Sequence, residues 1–293
     1  MGHHHHHHNT TGNIKVAFFL NLGFTIFEII GGLMTNSMAI LSDALHDFGD
    51  SISLGLSWYF QKFSNKKKDE SFSYGYRRFS LVGAIVNSII LTVGSVFILV
   101  ETIPRLISPT TPDAFGMIWL AVIGVIVNGA AAFKLRQGST LNEKVVSLHL
   151  LEDVLGWVAV LIGAIVMYFF DLPIIDPILS LGIAVYILFN VFKNLRDVFQ
   201  IIMQGVPQDT NLGKIERFLK NLEGVEAIHD LHIWSMDGEY NVLTVHIVTK
   251  ENQPMEALVP LKKKIHECLH EFGIEHATLE FETENEKCVL EDC

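Results

Sequence analysis

The stretch SDALHDFGDS, residues 42–51, sets Asp43, His46, Asp47 and Asp50 at positions i, i+3, i+4 and i+7, which a helix gathers into one stripe. The same His-x-x-x-Asp spacing recurs at His149 and Asp153 in SLHLLEDVLG, placing that pair about 6 Å apart along a shared helical face. Brought together, the two faces present two imidazoles and two carboxylates. Four nitrogen and oxygen ligands in a compact shell suit tetrahedral Zn²⁺, with two carboxylates cancelling its charge. A single buried histidine can be a satisfied packing group, and a single acid pair can be a helix–helix hydrogen bond. Two copies of one spacing favour a common ligand role.

The elements that must position these residues are apolar. Six stretches, roughly 14–34, 38–60, 79–103, 114–134, 145–170 and 174–193, reach the length of about 20 residues that a bilayer span requires. Hydrophobic residues make up 49% of the chain and its mean hydropathy is positive, +0.35, a combination that the polar surface of a soluble domain of this length rarely shows. Ionised acids at the bilayer centre cost roughly 2.5–3.5 kcal/mol each on the mildest scale. The three aspartates of the second span must therefore face water, one another or a bound cation. Glu28 and Asn21 lie seven apart on the first span and Asn128 lies on the fourth; with Asp43 and Asp47 they either line the same aqueous path or bond across helices.

Basic residues mark alternate connections. Lys62, Lys66, Lys67, Lys68, Arg77 and Arg78 follow the second span, Lys134, Arg136 and Lys144 the fourth, and Lys193 and Arg196 the sixth, whereas the opposite connections contain only Arg105. By the positive-inside rule both termini are cytoplasmic. Residues 207–293 hold 18 Asp and Glu against 8 Lys and Arg, an acidic soluble part that suits cations and excludes nucleic acid as a partner. Its three cysteines, Cys268, Cys288 and Cys293, fit a reducing compartment better than a disulfide framework. Met1, Gly2 and six histidines form an expression tag. The expected organisation is tag and N-terminal segment 1–13, transmembrane domain 14–205, soluble domain 206–283 and tail 284–293.

Within the soluble part, Leu212, Ile215, Phe218, Leu219 and Leu222 share a helical face, EAIHDLHIW and YNVLTVHIV alternate as strands, 255–271 is helical and ATLEFE is a third strand. Helix, strand, strand, helix, strand predicts a small α+β, ferredoxin-like domain. The fold class is thus a polytopic helical membrane protein with six transmembrane helices plus that domain.

The motifs NSMAILSDALHDFGDS, SYGYRR, HLLEDVLG, DPILS, GVP, HDLHIW, VHI and TLEFE resemble the cation diffusion facilitator family, specifically its zinc-transporting members, across residues 14–283. That resemblance implies a homodimeric six-span exporter in a lipid bilayer that exchanges cytoplasmic Zn²⁺ for protons. It implies His46, Asp50, His149 and Asp153 as transport ligands. It further implies that Zn²⁺ also acts as a regulatory ligand of the soluble domain, at His229, His246 and Glu282, with His232, Glu280 and Cys288 as weaker candidates. Strand alternation agrees, because His246 shares a face with Val242 and Thr244, opposite Leu243, Val245 and Ile247.

Two positions depart from the family pattern. Phe72 and Tyr76 stand where several bacterial members carry histidines, so no metal site is expected there. Glu152 replaces a small residue beside Asp153 and is either a relay or a solvated charge. His266 and His270 read as exposed imidazoles beside the core face of their helix, and an ion pair is expected between Arg77 or Arg78 and Asp209. The fourth-to-fifth connection, short and without a histidine run, favours a bacterial plasma membrane. A non-transporting zinc sensor would need the cytoplasmic histidines but not ligands on two spans. A zinc hydrolase would need an open coordination position and a separate general base.

Overall fold

The computed structural model describes residues 10–64, 66, 68–136, 141–249 and 254–284, with side chains for all of these except 10–17, 57, 58, 61–64, 135, 136, 141–146, 149 and 255. The chain divides into two compact units, residues 1–62 with 83–194, and 63–82 with 195–293.

Long helices at all six expected spans build the first unit: α1 (Thr10–Thr35), α2 (Met38–Ser64), α3 (Phe79–Ile107), α4 (Ala114–Arg136), α5 (Leu141–Phe170) and α6 (Ile175–Ile202). Even α4, with 23 residues, is long enough at about 1.5 Å per residue to cross about 30 Å of hydrocarbon. Among the described residues, five of these helices are apolar enough to span a membrane by composition. The exception is α2, whose apolar face is interrupted by Asp43, Asp47 and Asp50. Phe97, Phe169, Phe189 and Phe192 project outward from α3, α5 and α6, as helices in contact with lipid require.

Small residues let the helices approach closely. Gly49 of α2 lies against Leu91, and Gly94 of α3 against Leu45, so closely that a Cβ at either position would overlap the leucine. Gly124 of α4 meets the Trp157 indole of α5 in the same way, and that fully buried ring packs with Ala39, Ile40, Met117, Ala121, Val160 and Ala164.

The start of α2 is fixed from α6. Asn36 turns the chain with a φ of 53°, a left-handed conformation that asparagine tolerates, and Arg105 donates to its carbonyl and side-chain oxygens at 3.1 Å. Ser37 Oγ accepts the Ile40 N–H at 3.2 Å. Asp176, buried in the first turn of α6, accepts the Ser37 hydroxyl at 2.5 Å and the Met38 and Ala39 N–H groups at 2.8 and 3.2 Å. A carboxylate there satisfies otherwise orphaned N–H groups and complements the helix dipole. One turn on, Ser180 bonds Ser42 at 2.7 Å and Thr102 at 3.0 Å.

In the second unit, α7 (Leu212–Lys220), β1 (Ala227–Ser235), β2 (Asn241–Thr249), α8 (Met255–Glu271) and β3 (His276–Thr283) follow the expected order. Asn211 caps α7 by accepting the Lys214 N–H at 3.0 Å. The sheet runs β1-β2-β3, the first pair antiparallel and the second parallel, the parallel pair joined by α8 as a parallel connection demands. Leu243, Val245 and Ile247 pack with Ile215, Leu219, Ile265 and Leu269, leaving the opposite face of β2 for His246.

The connection before α3 belongs to this unit. Asp69 accepts the Tyr76 hydroxyl at 2.7 Å, Lys66 Nζ at 2.9 Å and the Ser71 and Phe72 N–H groups at 3.0 Å. The Tyr76 and Lys66 bonds hold its carboxyl well below the usual range. Arg77 pairs with Asp237 at 3.4 Å and stacks over Tyr240 at 4.2 Å. This corrects the expected partner Asp209: the β1–β2 turn presents Asp237 beside an aromatic face that a guanidinium can cover.

Candidate metal centres

On α2 the predicted stripe forms. His46 Nε2 lies 4.0 Å from Asp50 Oδ2, with 21% and 27% of the two side chains exposed, while Asp43 and Asp47 are buried. Residues 37–40 and 42–44 are also buried, so the stripe is closed toward the α1–α2 turn and becomes accessible along the C-terminal half of the helix. The facing helix is α5: a Cβ at Gly156 would stand 3.5 Å from Asp43 Oδ1. Half-buried Asp153 on that helix interacts electrostatically with both Asp43 and Asp47. The His149 side chain lies outside the described ones; its backbone is in α5, one turn before Asp153.

The first helix contributes two polar residues with different roles. Asn21 Nδ2 donates to the Asp47 carbonyl oxygen and to Ser51 Oγ, both at 3.0 Å, so it bonds across helices. Glu28 is fully buried, with Asp47 beside it, and the acids that act on it are Asp47, Asp43 and Asp153. Asn128 is buried with its Nδ2 unpartnered. Glu152 is exposed.

In the soluble domain the ligand-type atoms of His229, His246 and Glu282 lie within 4.8 Å of one another. Glu282 bridges both imidazoles, at 2.7 Å to His246 Nδ1 and 3.1 Å to His229 Nε2. His246 and Glu282 are buried, and the two rings meet edge to face at 5.1 Å. His246 Nε2 faces Glu280 at 3.4 Å and Asp230 at 3.6 Å, and Asp230 contacts His232 Nε2 at 2.8 Å.

A β-bulge explains this assembly. His229 pairs with His246, but His232, not residue 231, pairs with Thr244. The extra residue turns His229 and His232 to the same face of the sheet, and Asp230 occupies it with a φ of 50°. Asp230 is the residue that sequence reasoning missed. Its one signal is an aspartate between two histidines, a type that tolerates left-handed backbone. Cys288 lies outside the described residues; Cys268 is a free thiol.

A bundle carrying buried acids beside an imidazole, with a His–His–Glu cluster on a separate α+β domain, defines a membrane protein that handles metal cations. Residues 14–203 match the cation efflux transmembrane domain and residues 207–284 the cytoplasmic domain of cation efflux proteins. The chain belongs to the cation efflux family. It is 33% identical over 288 residues to the cadmium, cobalt and zinc/H(+)-K(+) antiporter of Bacillus subtilis, covering 97% of this chain and 93% of that one. It is 34% identical over 274 residues to the metal cation efflux system protein CzcD of Cupriavidus metallidurans (92% and 86% covered) and 30% identical over 281 to the zinc transporter ZitB of Escherichia coli (94% and 88%). These relatives are metal cation transporters, so the expectation of a transporter in place of an enzyme holds, as do the expected family and fold class.

Proposed function

We propose that the protein exports Zn²⁺ from the cytosol in exchange for protons, binding it between α2 and α5 through His46, Asp50, His149 and Asp153. The observation that carries this reading is the His46–Asp50 pair, partly exposed at 4.0 Å, on a helix whose acid stripe meets Asp153 of α5. Its donor set, two imidazoles and two carboxylates, suits zinc. Relatives named for zinc, and for zinc with cadmium and cobalt, support a divalent transition metal as substrate.

Metal binds only deprotonated ligands. Entering Zn²⁺ displaces protons from the imidazoles and carboxylates, and reprotonation at the far side releases it. Asp43 and Asp47 line the route beyond the ligands. His229, His246 and Glu282 hold a regulatory zinc ion, with Asp230, His232 and Glu280 around it. The protein works as a homodimer in a bacterial plasma membrane, with both termini and the soluble domain in the cytoplasm, as the basic connections favour.

Zinc uptake into proteoliposomes under an imposed pH gradient tests this. Asp50→Ala and Asp153→Ala are expected to abolish uptake, and transport at the wild-type rate by both variants would refute the site.

A further inference from the structure

Toward the end of α4 and the start of α5 the two helices form a groove of about 670 Å³, within the roughly 300–1,000 Å³ of ligand sites. Gly129, Ala132 and Phe133 of α4 line it with Ser147, Leu151 and Val154 of α5, each set spaced to share one helical face. The groove exists because Gly129 and Ala132 bring almost no side chain to it. A Cβ at Gly129 would stand 3.9 Å from Val154 Cγ2, in ordinary contact. Ser147 donates its hydroxyl to the Ala132 carbonyl oxygen at 3.0 Å, which leaves a lining that is almost wholly apolar. Phe133 and Leu148 form outer walls, each 67% exposed.

Lipid tails are as apolar as leucine, so an acyl chain gains little by leaving the bulk bilayer for this groove. A preference for one lipid must come from its headgroup. The sequence beside the groove supplies one. Exposed Lys134 follows Phe133 directly, Arg136 ends α4, and Lys144 lies in the first turn of α5, three residues before Ser147. Residues 134–147 set these three bases against one acid, Glu143. Bases at the ends of spanning helices reach headgroup depth. An apolar groove with a positively charged mouth matches a molecule with an anionic head and an apolar tail.

We infer that the α4–α5 groove binds an acyl chain of an anionic phospholipid, whose phosphate is drawn by the bases of residues 134–144. The site requires only that the bundle lies in a bilayer, as its match to the cation efflux transmembrane domain entails, and stands apart from the zinc ligands. Each base favours a charged over a neutral headgroup by roughly fivefold. Leu151 and Val154 bracket Asp153 on α5, so a chain in the groove packs on the helix segment that carries this acid.

The test uses the full-length protein in phosphatidylcholine vesicles with a trace of phosphatidylglycerol or phosphatidylcholine that carries a photoreactive acyl chain. Labelled residues are mapped by mass spectrometry. The phosphatidylglycerol probe is expected to label residues 129–133 and 147–154 about fivefold or more above the phosphatidylcholine probe, and unlabelled phosphatidylglycerol should displace it. Replacing Lys134, Arg136 and Lys144 together by glutamine leaves the packed interior untouched and should remove that preference. Gly129→Leu fills the groove and should abolish its labelling, while exposed Phe189 and Phe192 of α6 stay labelled. Equal labelling of the groove by the two probes overturns the inference, since unselective boundary lipid gives that result. So does a preference that survives the triple replacement, or groove labelling that survives Gly129→Leu. A groove that neither probe labels, beside a labelled Phe189 and Phe192, overturns it as well, because another protein chain would then cover the site.

Discussion

Replacing Asp176 by alanine removes one carboxylate that serves three donors on another helix, at 2.5, 2.8 and 3.2 Å. All the groups involved are buried, so no water replaces the lost acceptor. Ser37 Oγ already caps Ile40 and can relieve neither backbone N–H. Three orphaned donors at about 1–1.3 kcal/mol each give a loss of about 3–4 kcal/mol, within the range for truncating a buried charged partner. For a chain of this size 1 kcal/mol moves the midpoint by about 2–4 °C, so Asp176→Ala is expected to melt about 6–16 °C below wild type. Asp176→Asn keeps one acceptor oxygen and should lose about half as much. Ser180→Ala removes only neutral bonds, to Ser42 and Thr102, for about 1 kcal/mol. Thermal unfolding of the detergent-solubilised protein, ranked across the three variants, measures this. An Asp176→Ala midpoint no lower than that of Ser180→Ala would refute the claim that α6 anchors α2.

Glu282→Ala removes the carboxylate shared by His229 and His246. In an Asp50→Ala background, stabilisation by zinc, about 2.7 kcal/mol at a hundredfold excess over Kd, should fall toward zero in thermal shift. Asp69 titrates below its ordinary range in the folded chain, so its stabilising bonds persist above the usual carboxylate pKa and are lost as pH falls through the depressed value. Amide exchange at Ser71 and Phe72 should accelerate only in strong acid, and at a less acidic pH in Tyr76→Phe, which removes the hydroxyl bond. Gly124→Val overlaps the Trp157 indole and should cost about 1–3 kcal/mol in thermal stability by overpacking.

Much of this architecture was legible because its signals are local. Apolar runs and basic connections located the six helices, and alternation around Leu243, Val245 and Ile247 found the core face of β2 and hence the opposite placement of His246. Residues three apart on a regular strand, such as His229 and His232, point to opposite faces. The bulge reverses that, and nothing in the periodicity announces it. The DPILS motif marked the start of α6 but not that Asp176 caps a helix 138 residues earlier, a contact fixed only by packing. Arg77 likewise chose Asp237 over Asp209 because the β1–β2 turn brings an acid and Tyr240 together.

Several of the bonds that hold these elements are made by atoms other than the imidazole and carboxylate atoms that would bind metal. Asn21 reaches the carbonyl oxygen of Asp47, not its carboxylate; Asp176 grips the backbone of α2 before the stripe begins; Gly49 and Gly94 set the distance to α3 through leucines. In the soluble domain the opposite face of β2 carries the core while the bulge presents the ligands. A transporter must bind and release its cation in every cycle, and ligands that also held the fold would tie metal release to unfolding. Variants such as Asp50→Ala should therefore fold with little loss of stability while losing transport. Asp176→Ala should show the reverse order of damage, because its carboxylate supports the helix and touches no predicted ligand.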